Sequence, residues 1–183
     1  SLFHKAEELE KRGWTRAPLN RWVKDGAQSV PLYEGKMVQM FDHRAADVVV
    51  NAENLHRAAQ PETISQVEKA SPNRYPQPQF FVEASETSAN PYDWALGYKE
   101  ISAPTNARSM IATMLPAVAF GNKVPLLIPQ GETPHVAART ATLIAANFNC
   151  FAFDFVLRQK LQGQTINLFI LEQLPVIAPK STD

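Results

Sequence analysis

The chain has 183 residues, 45% of them hydrophobic, with eighteen basic and eighteen acidic side chains for a net charge of zero. That suits one ordinary domain with enough apolar content to bury a core, and it excludes a strongly basic, free-standing DNA binder, whose phosphate contacts supply much of its affinity. The single cysteine, Cys150, excludes an internal disulfide and any multi-cysteine metal site. No segment approaches the apolar length needed to span a bilayer. The start lacks a basic segment followed by an apolar run, so no signal peptide is expected, and the expected compartment is the cytoplasm.

In chain order, residues 3–12 predict a short charged helix with Gly13 as its C-cap. The tract from Trp14 to Trp22 interleaves Arg16 and Arg21 with two tryptophans. Such a tract can stack on bases or dock on a neighbouring domain. Asp25-Gly26 marks a turn. Residues 1–28 are read as a lead-in helix and linker from a larger parent protein. From Pro31 the chain runs Leu-Tyr-Glu-Gly-Lys-Met-Val-Gln-Met-Phe-Asp-His-Arg to Arg44. Here Gly35 permits a tight bend between Glu34 and Lys36, and Met37 to Phe41 predicts a short strand. Residues 45–57 are mixed. Gln60 to Thr63 is expected to open a short helical stretch towards Lys69. Residues 71–78, with Pro72, Pro76 and Pro78, read as an exposed loop. Gln79 to Glu83 predicts a strand followed by a polar turn.

Tyr92-Asp93-Trp94-Ala95-Leu96-Gly97-Tyr98-Lys99-Glu100-Ile101-Ser102 comes next, then Thr105-Asn106-Ala107-Arg108-Ser109, then an apolar strand from Ile111 to Pro116. Gly121-Asn122 marks a tight turn before a strand over Val124–Ile128. Leu143, Ile144, Phe148, Phe151, Phe155 and Val156 recur at three- and four-residue steps. They predict one amphipathic helix over Thr140–Lys160 with an aromatic-rich inner face, and Arg158 and Lys160 in its last turn complement the helix dipole. Gly163-Gln164-Thr165-Ile166-Asn167 follows, then a second short helix through Leu171 and the closing Leu174-Pro175-Val176. No repeat at solenoid spacing is present. The expected fold class is α+β, a mixed, largely antiparallel twisted sheet with the long C-terminal helix packed on it.

Three of these stretches, in this order, resemble the target-recognition (specificity) domain of type IIG restriction–modification enzymes and of BREX-type adenine-specific DNA methyltransferases of phage defence. Tyr33-Glu34-Gly35-Lys36 with Phe41-Asp42-His43-Arg44 is similar to the family's opening. Gly97 to Ser102 with Asn106 to Ser109 is similar to its Gly-aromatic-Arg-Asp-Ile strand and Asn-Glu-Arg-Thr segment. Lys99 stands for the arginine, Ala107 for the glutamate and Ser109 for the threonine, and Lys99 lacks the planar fork for a bidentate contact. In the third stretch Asn147-Phe148-Asn149-Cys150 is similar to a helix containing Leu-Asn-Ser, and the Gly163 turn and Leu174-Pro175-Val176 close it.

The resemblance covers most of residues 29–178 and implies a DNA target-recognition domain there, with residues 179–183 as a tail and a target-recognition-domain-like fold. It implies sequence-specific recognition of double-stranded DNA, while a separate methyltransferase domain of the same parent chain flips and methylates an adenine. The fragment itself would be non-catalytic. S-adenosylmethionine, and Mg²⁺ where the parent also cuts, would belong to the absent catalytic part. A neutral charge fits a module that reads bases while another domain supplies more of the grip. Candidate DNA-binding residues are Lys36, Gln39, His43, Arg44, Lys99, Asn106 and Arg108, with Arg158, Lys160, Gln162 and Thr165 at the end of the long helix. Gln and Asn can pair with adenine and Arg or Lys with guanine; their division between base reading and phosphate anchoring stays open.

Other chemistry is weighed beside this. Glu34-Gly35-Lys36 contains Glu-X-Lys, the second half of a metal-dependent nuclease signature, with Asp25 upstream. A Mg-dependent nuclease using Glu34 and Lys36 is therefore an alternative. Asn90-Pro91-Tyr92 is similar to the Asn-Pro-Pro-aromatic loop of adenine methyltransferases, yet one proline is missing and no Gly-rich strand–turn–helix precedes it, so a turn before a strand is the better account. His4, His43, His56 and His135 lack the spacing of a zinc site. Asp42 and Arg44 are either an ion pair or, for Arg44, a phosphate-positioning group. Ser29 and Ser109 lack a nucleophile elbow. A third reading is a protein-interaction domain without DNA contact, for which neutrality and the expected exposure of Trp14 and Trp22 speak.

Overall fold

The computed structural model describes residues 2–51, 53, 58–87 and 89–177; His56 and the 179–183 tail lie outside them. The chain forms two compact units. The first takes Ser1–Val38, Arg44–Ala89 and Val118–Asn122, and the second takes Gln39–His43, Asn90–Ala117 and Lys123–Asp183. The elements of the first half are α1 (Ala6–Lys11), β1 (Thr15–Ala17), β2 (Arg21–Lys24), β3 (Ala27–Tyr33), β4 (Ala46–Val49), β5 (Gln60–Thr63), α2 (Gln66–Lys69) and β6 (Phe81–Glu83). They are followed by β7 (Trp94–Tyr98), β8 (Ala112–Pro116), β9 (Ala119–Phe120), β10 (Leu126–Leu127), α3 (Pro134–Phe148), α4 (Phe151–Lys160) and α5 (Leu168–Leu171).

In the first unit, β1, β2, β3 and β6 pair antiparallel in that order, and β9 joins β3 in parallel. The β2–β3 hairpin turns at Asp25 and Gly26, both at positive φ (48° and 82°), the mirror-image turn whose twist matches antiparallel strands. As predicted, α1 stops before Gly13, which sits at φ 80°. Lys24 Nζ donates to Arg12 O at 2.7 Å, capping a carbonyl at the helix end.

Trp14 and Trp22 are not exposed. They are 8% and 3% accessible and pack with Leu9 and Phe81, Trp22 meeting Phe81 edge-on at 6.0 Å. Their large indole rings supply much of the apolar area that this small cluster buries. The boundary drawn at residue 28 falls inside β3.

The expected strand over Met37–Phe41 is also corrected. Gly35–Met37 is one 3-10 turn, and Met37 and Val38 are buried, so their apolar character reflects packing. The chain then reverses, with Gln39 N donating to Asp42 O (2.8 Å), Asp42 N donating to Gln39 O (2.9 Å) and Phe41 at φ 57°. Residues 60–63 are strand β5, paired antiparallel with β4, where a helical start was expected. Pro61 would disrupt a helix interior, and the helix begins only after Ser65, whose hydroxyl accepts from Glu68 N in a capping box. The proline-rich 71–78 segment is a loop, but Pro76 is fully buried.

In the second unit, β10, β7 and β8 form an antiparallel sheet. One core joins it to the C-terminal helices through Leu96, Tyr98, Met110, Phe148, Phe153, Leu157 and Ile166. Helix α3 buries Ala137, Ala141, Ala145 and Phe148; three small side chains one turn apart let the helix lie close to its neighbours. Thr133 caps it and Pro134 occupies its first turn.

The single helix expected over Thr140–Lys160 is two helices meeting at 67°. Asn149 ends the first, and its buried side chain both accepts from Ala112 N (3.0 Å) and donates to Ala112 O (2.8 Å), mimicking a strand partner of β8. That break resets the helical phase. Phe153, Asp154 and Leu157 face inward, while Phe151 and Phe155, expected on the inner face, are 82% and 65% accessible. The fold class is thus α+β, with antiparallel sheets and C-terminal helices packed on strands, distributed over separate sheets instead of one.

Candidate functional site

Among the candidates on the first unit, Lys36 lies in the 3-10 turn. Its ammonium donates to Ala59 O at 2.9 Å and pairs with Glu34 at 3.0 Å. The Arg44 guanidinium donates to Lys69 O and Ser71 O at 3.1 Å and to Arg74 O at 3.3 Å, so it ties down the chain leaving α2. Both cations are engaged by backbone carbonyls of their own unit. Asp25, the upstream carboxylate of a nuclease reading, is exposed at the tip of the β2–β3 hairpin. Among the described residues no group of three or more His, Cys, Asp or Glu could hold a metal ion.

The other candidates belong to the second unit. Gln39 and His43 sit in the tight 39–43 reversal, which attaches to β8 through Phe41 N donating to Ala112 O at 3.1 Å. Gln39 is exposed and His43 half-buried. Arg108 and Arg158 gather around Asp154, a carboxylate 4% accessible in the first turn of α4, where a negative charge suits the helix dipole. It accepts from Ser109 N (2.9 Å), Met110 N (2.7 Å) and Arg158 Nε (2.9 Å), and Arg108 Nε lies at 3.8 Å.

Arg158 then reaches Pro104 O, Asn106 O and Ala107 O at 2.7–2.9 Å. Arg108 donates to Asn149 O at 2.6 Å and lies 4.6 Å over the Phe151 ring. These two arginines hold the 102–109 loop on α4. Asn106 remains exposed at the loop's tip.

Lys99 follows β7, its N–H donating to Ile111 O at 2.9 Å. Its ammonium is half-buried and makes no hydrogen bond among the described residues, and burial pushes its pKa down. The folded state therefore binds that proton less tightly than the unfolded chain. The cost of keeping Lys99 charged is full at neutral pH and is relieved as pH rises through its lowered pKa towards the unfolded value near ~10.4. Lys99→Met is expected to stabilise the protein at neutral pH, with a gain that shrinks on going alkaline; urea unfolding at both ends of that range checks it.

Lys160, Gln162 and Thr165 come together in a cleft of about 630 Å³ between the end of α4 and the start of α5. Thr165 bridges to Ile101, and Ser102 N donates to Gln164 O and Ile166 N to Glu100 O, both at 2.8 Å. This extends β7's strand direction into the floor of the cleft. Lys160 Nζ donates to Gln173 Oε1 at 3.2 Å across it.

The sequence reading missed the rest of the lining. Gln159, Gln164, Asn167 and Gln173 add carboxamides, and Phe169 stands 69% accessible beside them. The wall carries no carboxylate. Its signal was present as a density of Gln and Asn after Asp154 with no acid before Glu172. A carboxamide offers donor and acceptor side by side, so this wall can pair with a neutral edge bearing both, which a cluster of like charges cannot. Set against family models, curated proteins and solved structures, the chain matches none.

Proposed function

We propose that this chain is the sequence-specific, double-stranded DNA recognition module of an adenine-specific DNA methyltransferase of restriction–modification or phage-defence type, working in the cytoplasm beside a methyltransferase domain of the same parent chain. The motifs of residues 29–178 motivate the reading. The observation that carries it is the carboxamide wall at the end of α4: exposed Gln162 and Gln164 flank Gly163 on a loop anchored to β7's extension.

Such groups suit adenine edges in the major groove, Lys160 suits guanine, and the exposed Phe169 suits a thymine methyl. Arg108 and Arg158 act one step back, holding the loop that presents Asn106. Polar groups on stiff supports are what base reading requires, since a loose side chain loses discrimination to its own entropy. S-adenosylmethionine is assigned to the catalytic domain.

The test is selection of a binding site from a randomised duplex library, followed by anisotropy titration of the preferred and scrambled duplexes. Replacing both Gln162 and Gln164 by Ala is expected to cost about 1–3 kcal/mol of discrimination per lost base contact while leaving the fold intact. An unchanged preference in a folded variant would remove the cleft from the reading edge. Plasmid cleavage by the chain with Mg²⁺, abolished by Glu34→Ala, would replace this proposal by the nuclease reading.

A further inference from the structure

The neutral total hides a local imbalance. Between Glu10 and Asp25 the chain carries Lys11, Arg12, Arg16, Arg21 and Lys24 and no carboxylate. That stretch is the end of α1 and the β1–β2 hairpin. Three features make the hairpin more than a solvated basic face. First, the Arg16 guanidinium lies 4.8 Å over the buried Trp22 ring and makes no hydrogen bond among the described residues. The cation–π contact holds the charge against the hairpin while its N–H donors stay available, and a guanidinium suits bidentate phosphate contacts.

Second, the hairpin tip is held in an unusual shape. Leu19 and Asn20 both sit at positive φ, 62° and 55°, which is uncommon for residues other than glycine. Asn20 Nδ2 donates to Pro76 O at 2.9 Å and fastens the tip to the 73–77 loop. Third, a cleft of about 330 Å³ opens between tip and loop, lined by Arg16, Asn20, Asn73, Tyr75 and Gln77 without a carboxylate. A cation held on an aromatic ring beside a cleft whose lining carries no acid suits a phosphate.

We infer that the β1–β2 hairpin is a second DNA-contacting element, gripping the phosphate backbone of a duplex through Arg16 and the donors of the adjoining cleft, independently of base sequence. This rests on the DNA-recognition reading but assigns the grip to a different surface, in the first unit, outside the motifs that carry that reading. It also supplies locally the positive charge that the composition as a whole lacks.

The experiment uses the 183-residue chain and a fluorescent duplex of arbitrary sequence, titrated by anisotropy between about 50 and 200 mM salt. Arg16→Ala is expected to weaken binding several-fold and to make the plot of log affinity against log salt shallower by about 0.9. Arg16→Lys should restore most of the slope. Near-ultraviolet circular dichroism of the tryptophans establishes that the hairpin remains folded.

In a folded variant, unchanged affinity and slope overturn this inference and leave the Gln162 and Gln164 test standing. Loss of discrimination only in the glutamine variants, with a changed slope only in Arg16→Ala, supports both. Failure of the wild-type chain to bind any duplex at about 50 mM salt overturns both. Binding to polyglutamate or anionic vesicles that equals binding to DNA and falls equally in Arg16→Ala overturns the assignment to DNA.

Discussion

Replacing Asp154 by alanine is expected to destabilise the protein by about 3–5 kcal/mol, because it takes a shared, buried acceptor away from several donors at once rather than breaking a single contact.

 Four donors converge on its two oxygens: Ser109 N, Met110 N and Arg158 Nε as hydrogen bonds, and Arg108 Nε at 3.8 Å. Without the carboxylate, two buried N–H groups lose their acceptor and two guanidiniums lose their counter-charge. Unmet buried donors each cost the desolvation that folding had already exacted, about 1–3 kcal/mol. Asp154→Asn keeps an acceptor oxygen for the two amides but no charge for the arginines, so its loss should be distinctly smaller. Urea unfolding of the three proteins orders them. Equal stability of wild type and Asp154→Ala would mean that the 102–109 loop is not held through this residue, and the support claimed for Asn106 would go with it.

Phe148→Ala is expected to cost a similar amount, about 3–5 kcal/mol. Phe148 is 2% accessible, packs on Phe153 at 4.8 Å and meets Tyr98 edge-on at 6.5 Å. It is the residue at which α3 ends, and its ring spans the elbow between α3, α4 and β7. Truncation leaves a cavity that rigid neighbours can only partly fill. Phe155→Ala supplies the contrast, because Phe155 is 65% accessible, and its effect should stay within about 0.5 kcal/mol. If both variants unfold at the same urea concentration, the helical phase assigned to α4 is wrong.

Where local rules and tertiary packing agree, the fold was legible from the residues. The stop of α1 at Gly13, the Asp25-Gly26 turn, the strand ending at Pro116 and the helix through Leu171 each carry a cap, a turn residue or a clear apolar run. The error over Thr140–Lys160 has a plain cause. Periodicity counts apolar residues without knowing where a side chain will interrupt it, so the Asn149 contact with Ala112 was invisible and the period was carried through the elbow on to Phe151 and Phe155. Met37 and Val38 likewise looked like strand because burial and strand propensity select the same residues.

At the candidate site, the charged residues drew attention first, yet Lys36, Arg44, Arg108 and Arg158 are engaged by backbone carbonyls. Such bonds join residues far apart in the chain, Arg158 to Pro104 and Arg44 to Arg74 among them, and no local pattern marks them. Of the cleft's amides only Gln162 was singled out; Gln159, Gln164, Asn167 and Gln173 were overlooked because a carboxamide has no spacing rule of its own.

The way the chain alternates between its two units bears on how it can be made. Strand β3 leaves the ribosome early, but its parallel neighbour β9 follows only after β7 and β8, and the 39–43 reversal waits for Ala112 to receive Phe41. The first unit therefore cannot finish until residues 90–117 of the second have been made, and long-range closure of this kind slows folding. A truncation that looks like a clean halving of the gene would leave two incomplete pieces with open strand edges prone to aggregation.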